Sequence, residues 1–188
     1  MKKLDDLEII ASVKRGNVTD FSLLMDRYGN KAYSMIMRML KNSMDAEEVL
    51  QDSFVKAYQN LGSFKGDAKF STWFYRIVYN TTISRLSVKK RKTEGAMLTL
   101  DEDIEIAAGG MDTENLRGEQ AEMVEKLIEL LPPNYAAVVN LFYLEDMSCE
   151  QIAGVMNTSV QNIKVLLHRS RSALKKLIKE NDLEDELR

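Results

Sequence analysis

The residues best suited to recognition chemistry lie between Phe64 and Lys92. Six of the chain's 14 aromatics (Phe64, Phe70, Trp73, Phe74, Tyr75 and Tyr79) fall within 16 residues there. Arg85, Lys89, Lys90, Arg91 and Lys92 follow, and no acid intervenes after Asp67. Aromatic rings stack on unpaired bases, and neighbouring cations hold the backbone phosphates. At 100° per residue, Arg76, Asn80, Ser84, Ser87 and Arg91 share about 80° of arc on a helix. Phe74, Ile77, Val78 and Thr81 fall on the opposite side. One face packs; the other presents hydrogen-bonding groups and cations over roughly 22 Å. A solvated amphipathic helix with a charged end would show the same pattern, and on these residues alone both readings stand.

A second constellation lies near the C-terminus. Ser148-Cys149-Glu150-Gln151 fits a capping box and opens a short helix through Met156. Asn157-Thr158-Ser159 is a turn, and a long helix starts at Val160. Two helices joined by so short a turn are a helix-turn-helix signature. Val160, Ile163, Leu167, Leu174, Leu177 and Ile178 form the expected core stripe of the last helix. Gln161, Asn162, Val165, Arg169, Ser172 and Lys176 project opposite it, with Lys164, Arg171 and Lys175 on the flanks. Early side chains of such a helix reach base edges in the major groove, and later cations reach phosphates. An ordinary surface helix is the alternative.

The acidic start of another helix, around Asp45, Glu48 and Asp52, is a weak metal or acid–base candidate, because nothing nucleophilic or basic is organised beside it. It reads as a dipole-favoured helix start or as a docking face for a basic partner. His168 and Cys149 are the chain's one histidine and one cysteine, and no carboxylate cluster accompanies them, so no metal site is expected.

These groups need elements to position them. Phe21, Leu24, Met25, Tyr28, Ala32, Met35, Ile36, Met39 and Leu40 keep a helical period, with Thr19 as expected N-cap. A second helix follows Asn42-Ser43, with Leu50, Phe54, Ala57, Tyr58 and Leu61 inward, and Gly62 ends it. The stretch 62–69 reads as a loop, and a third helix runs from about Ser71 to Arg91. Residues 93–118 are acidic, glycine-containing and aperiodic, which predicts a mobile linker. Met123, Val124, Leu127, Ile128 and Leu131 resume a helical stripe, broken and restarted at Pro132-Pro133. The expected fold is therefore all-α. Two small helical domains (1–92 and 119–188) are joined by an acidic linker (93–118), and the second is a helix-turn-helix.

Bulk properties agree. The chain has 188 residues, 45% of them hydrophobic, with two prolines, which suits long helices around a packed core. The net charge of −3 hides segregation: +7 in 1–92, −6 in 93–118 and −4 in 119–188. A polyanion responds to the local patches rather than to the sum. A single cysteine forbids an internal disulfide and fits a cytoplasmic location. The N-terminus lacks the apolar run of a signal peptide, and no stretch is long and apolar enough for a membrane span. Asp, Glu, His and Cys are all missing from 70–92, which argues against a nuclease or other enzyme at that face. A free-standing helix-turn-helix regulator would explain 120–180 but not the aromatic-basic segment.

The string Asp45-Ala46-Glu47-Glu48-Val49-Leu50-Gln51-Asp52-Ser53-Phe54-Val55-Lys56-Ala57-Tyr58 resembles region 2 of extracytoplasmic-function sigma factors. So does Phe64 to Asn80. Leu131-Pro132-Pro133-Asn134-Tyr135 and Ser148 to Leu174 resemble region 4. The resemblance covers nearly the whole chain in order. It implies a non-enzymatic factor, without cofactor, that directs core RNA polymerase to promoters. The helix bearing Asp45, Glu48, Gln51, Asp52 and Lys56 would dock on the β′ clamp helices, and the C-terminal domain would meet the β flap. Phe64, Lys69, Phe70, Trp73, Arg76, Asn80, Ser84 and Arg91 would recognise the melted −10 element, with an extruded base near Asn80 and Ser84. Gln161, Asn162, Lys164, Val165, His168, Arg169 and Ser172 would read the −35 duplex. The acidic linker would thread toward the RNA exit channel, and an anti-sigma factor is an expected partner. The family commonly continues after Ile163-Lys164 with a small hydroxyl residue and an arginine. Here Val165-Leu166 stands instead, which implies an unusual −35 preference; Val165 suits contact with a thymine methyl.

Overall fold

A computed structural model of the chain describes residues 4–94 and 126–180, all of whose regular elements are helical. The first helix, α1 (Asp6–Lys14), was not expected from periodicity, because it is short and only Ile9, Ile10 and Val13 are buried. Its signal lies at the cap. Asp5 Oδ1 accepts from the Glu8 N–H (2.7 Å), and Glu8 Oε2 accepts from the Asp5 N–H (2.9 Å).

The 3-10 turn Val18–Asp20 leads into α2 (Phe21–Leu40). The expected N-cap Thr19 lies inside that turn, where its carbonyl accepts from Ser22 Oγ (2.8 Å), and no side chain caps α2. The Val18 and Thr19 carbonyls of that turn accept from the Phe21 N–H at the start of α2. α3 (Ser43–Asn60) is capped by Asn42, whose Oδ1 accepts from the Asp45 N–H (2.9 Å). After the 3-10 turn Leu61–Ser63 and a loop containing Gly66 (φ +83°), α4 runs from Phe70 to Glu94. α4 packs against both α2 and α3, burying Phe54, Phe70, Phe74 and Tyr75 with Leu24, Met35 and Ile36.

Residues 126–129 are helical, with Leu127 and Ile128 buried. Pro133 then occupies the first turn of α5 (Pro133–Val139), where a missing N–H costs nothing. A π-helical turn, Asn140–Leu144, extends α5. α6 (Cys149–Met156) begins at the expected capping box: Ser148 Oγ accepts from the Gln151 N–H, and Gln151 Oε1 accepts from the Ser148 N–H. Asn157, in the left-handed region at φ 53°, ends α6, and α7 (Val160–Glu180) follows at once.

The two helical groups pack together. α5 lies on α2 and α6 lies on α4, and one continuous apolar core runs through both groups. Polar contacts frame this seam. Tyr79 OH donates to Asn134 Oδ1 (3.1 Å), Gln151 Nε2 donates to Thr72 Oγ1 (3.4 Å), and Lys31 pairs with Glu145. The expected linker 93–118 lies outside the described residues except for its first two, which continue α4.

Candidate nucleic-acid interface

α4 is enclosed on most of its circumference. Phe74, Val78 and Thr81 face α2 and α3, while Thr72 and Tyr79 bond across to the C-terminal helices. What remains open is a stripe bearing the exposed residues Arg76, Asn80, Ser84 and Arg91; Ser87, expected on the same arc, is half-buried. Ser84 Oγ donates back to the Asn80 carbonyl (2.8 Å), which draws these two neighbours together. Lys69 is exposed at the mouth of the preceding loop.

The aromatic candidates correct the sequence reading. Phe64 and Phe70 are 6% and 2% exposed. Phe70 stacks on Phe74 (5.8 Å, 8°) and meets Phe64 edge-on (5.8 Å, 88°). Rings so enclosed offer no face to a base in this arrangement; apolar burial has taken them. Trp73 keeps partial exposure, tilted against both Phe64 (5.3 Å) and Phe70 (5.6 Å). The clustering of aromatics is therefore first a core that shapes the loop, with one indole at its margin.

The basic run also divides. Arg85 donates to Asp45 Oδ1 through Nη2 (2.7 Å) and Nε (3.0 Å) and also bridges to Glu48, while Lys89 pairs with the other oxygen of Asp45. Bonds from Lys89 and Arg85 hold the Asp45 carboxyl below its usual range. Asp45, with a side chain only 12% exposed, is thus committed to locking α3 onto α4. No sequence spacing links it to Arg85, 40 positions away. Glu48, Gln51 and Asp52 remain exposed on α3. Lys56 reaches across to Thr81 Oγ1 (3.2 Å), and a shallow groove between α3 and α4 is lined by Asp52, Lys56, Thr81, Ser84 and Val88.

In the helix-turn-helix, Ile163 and Leu167 are buried, and Gln161, Asn162, Lys164, Val165, His168 and Arg169 are exposed over two turns. That stretch spans about 12 Å, the width of a DNA major groove. Asn162 Nδ2 donates to Thr158 Oγ1 (3.0 Å), which fixes the amide at the start of α7. Ser172 departs from expectation. It lies opposite the Ile163–Leu167 stripe yet is 4% exposed, and its hydroxyl has no partner among the described residues. The whole turn from Ser170 to Ala173 lacks an exposed residue, so a two-sided pattern misassigns it. Arg171 is held in that turn by the Tyr143 hydroxyl (2.6 Å) and by the rings of Phe142 and Tyr143.

Among the described residues no group of three or more His, Cys, Asp or Glu side chains could hold a metal, and no helix is long and apolar enough to cross a membrane.

Residues 24–92 match the family model Sigma-70 region 2, and residues 121–174 match Sigma-70, region 4. The chain is 35% identical over 181 residues to the ECF RNA polymerase sigma factor SigW of Bacillus subtilis, covering 91% of this chain and 95% of that protein. It is 33% identical to the RNA polymerase sigma-H factor of Pseudomonas aeruginosa, covering 92% and 93%. Two solved structures share the fold. CnrH in complex with the cytosolic domain of CnrY has a TM-score of 0.62 at 21% identity, over 92% of this chain and 96% of that one. The sigma factor RpoE of Bartonella quintana, solved with the anti-sigma factor NepR, has a TM-score of 0.64 at 19% identity, over 85% and 97%. With both diagnostic regions matched in order, and a relative 35% identical over most of both chains, the chain belongs to the sigma-70 family, as a sigma factor of the ECF type.

Proposed function

We propose that this sigma factor, bound to core RNA polymerase, reads the −35 element as duplex with α7 and captures the melted −10 strand along α4. The observation that carries the reading is the pairing of two unlike surfaces on one chain. α7 presents a row of side chains the width of a major groove. α4 presents a narrow polar stripe, Arg76-Asn80-Ser84, beside a half-exposed Trp73. Such a stripe suits extruded bases, and binding a base only after it leaves the stack makes strand opening favourable without ATP.

Polymerase docking would use Glu48, Gln51 and Asp52 of α3 against a basic partner such as the β′ clamp helices, with the C-terminal helices on the β flap. An anti-sigma factor is a further expected partner, since RpoE of the same fold was solved in complex with the anti-sigma factor NepR. The location that follows is the cytoplasm. The deciding experiment is transcription in vitro by core polymerase with and without this protein, on a library of promoter fragments. Initiation from a defined subset supports the reading. Tight duplex binding by the free protein, without initiation, would replace it with a free-standing regulator.

A further inference from the structure

The loop between α3 and α4 carries five exposed residues in a row, 65–69. Its fixed points lie at its ends. Phe64 and Phe70 are buried against each other, and the Trp73 N–H bonds to the Lys69 carbonyl (3.3 Å). One further anchor comes from elsewhere in the chain. Lys14, the last residue of α1, donates from Nζ to the Phe64 carbonyl at 2.7 Å. A second contact from α1 lies nearby: a methyl of Leu7 stands 3.8 Å from where a Cβ on Gly66 would be. α1 is in turn fixed to α2, because Arg27 and Tyr28 both bond to Asp6, and the Tyr28 ring packs on Phe70 and Phe74.

A trans peptide is planar, with its C=O and N–H antiparallel. Holding the Phe64 carbonyl toward α1 therefore aims the Lys65 N–H away from α1. Releasing the carbonyl would let that peptide rotate and move the donor. We propose that α1 braces the 64–69 loop and that Lys14 is a positioning residue that sets the loop's base preference. This rests on the reading of that loop as part of the −10 surface.

The test uses the full chain with core polymerase. Open complexes are footprinted with permanganate on fragments carrying each of the four bases at each −10 position, for wild type, Lys14→Met and Lys14→Arg. The expected result is a loss of base preference in Lys14→Met of roughly three- to tenfold, confined to positions the loop reads. Lys14→Arg, which restores a cationic donor, should recover it. Polymerase affinity and the unfolding midpoint should stay at wild-type values. Wild-type preference in Lys14→Met overturns the proposal. Uniform weakening on all fragments, with the salt dependence reduced by about one ion, would instead make Lys14 a phosphate contact and overturn it too. If the wild type itself shows no preference at any unpaired position, the −10 reading fails and the brace falls with it.

Discussion

Lys31 on α2 and Glu145, at the end of the turn that follows α5, are 114 positions apart in sequence, yet Nζ lies 3.3 Å from Oε2. The Glu145 side chain is 8% exposed and that of Lys31 57%, so the acid is the buried member. Around it stand Tyr28 and Tyr75. Burial raises the pKa of both phenols, and the Glu145 carboxylate adds to the effect at each. A buried carboxylate inside the seam between the two helical groups makes that seam sensitive to charge. Apolar contacts of α5 and α6 close the rest of it.

Lys31→Met should weaken the seam modestly, because it leaves the buried Glu145 carboxylate without its paired cation. Lys31→Glu should open the seam, since Glu145 would then face a like charge in a partly desolvated place. The expected outcome by small-angle scattering is a larger radius of gyration for Lys31→Glu, with helix content unchanged by circular dichroism. A double variant with Glu145→Lys should close it again. An unchanged radius in Lys31→Glu would show that apolar packing alone holds the seam.

Asp45 gives a pH dependence. Its carboxyl is held below the usual range by Lys89 first and Arg85 second. A depressed folded value means stability that is fully present above the unfolded value, about pH 4. That stability is lost as pH falls from there through the lower folded value. Urea midpoints measured between about pH 6 and 3 should therefore fall on acidification, and Asp45→Asn should flatten the low-pH part of the curve. A parallel curve for Asp45→Asn would remove Asp45 from the lock between α3 and α4.

On α7, Arg169 is exposed one turn beyond Val165 on the proposed −35 face. Arg169→Ala should lower initiation about tenfold on promoters that carry a −35 element, and little on those that do not, consistent with ~1–3 kcal/mol for a good base or phosphate contact. Ser172→Ala should leave promoter choice unchanged, because Ser172 is buried and its hydroxyl has no partner among the described residues. Promoter selectivity that shifts with Ser172→Ala, or stays fixed with Arg169→Ala, would displace the readout surface.

The helices and the helix-turn-helix were legible because their signals are local. The capping box at Ser148, the restart at Pro133 and the spacing of Arg76, Asn80 and Ser84 each lie within a turn or two of chain. Contacts set by tertiary packing were not. Arg85 read as a free cation until α3 brought Asp45 to it, and Phe70 read as a stacking platform until Tyr28 and Phe74 enclosed it. α1 was missed because three buried residues in a nine-residue helix carry little periodicity. The union of the two helical groups had no signal either, since Lys31 and Glu145 are each unremarkable in their own segment.

The open stripe of α4 allows a clean separation of fold from function. Trp73 contacts Phe64 and Phe70, so Trp73→Ala removes core packing as well as any base contact, at a cost of about 3 kcal/mol or somewhat less for a half-buried ring. Against a total stability on the order of 5–15 kcal/mol, its phenotype would mix unfolding with lost recognition. Asn80 is exposed, and truncating its side chain should shift the unfolding midpoint little. Asn80→Ala should therefore keep polymerase affinity, measured by competition against a labelled sigma factor, while slowing open-complex formation roughly tenfold or more by stopped-flow fluorescence. Supplying a promoter already mismatched across −10 should restore only the part of the rate that pays for strand separation. If mismatch rescues Asn80→Ala completely, Asn80 acts on melting and not on holding the extruded base. If polymerase affinity falls in step with opening, the stripe belongs to the docking face rather than to the DNA surface.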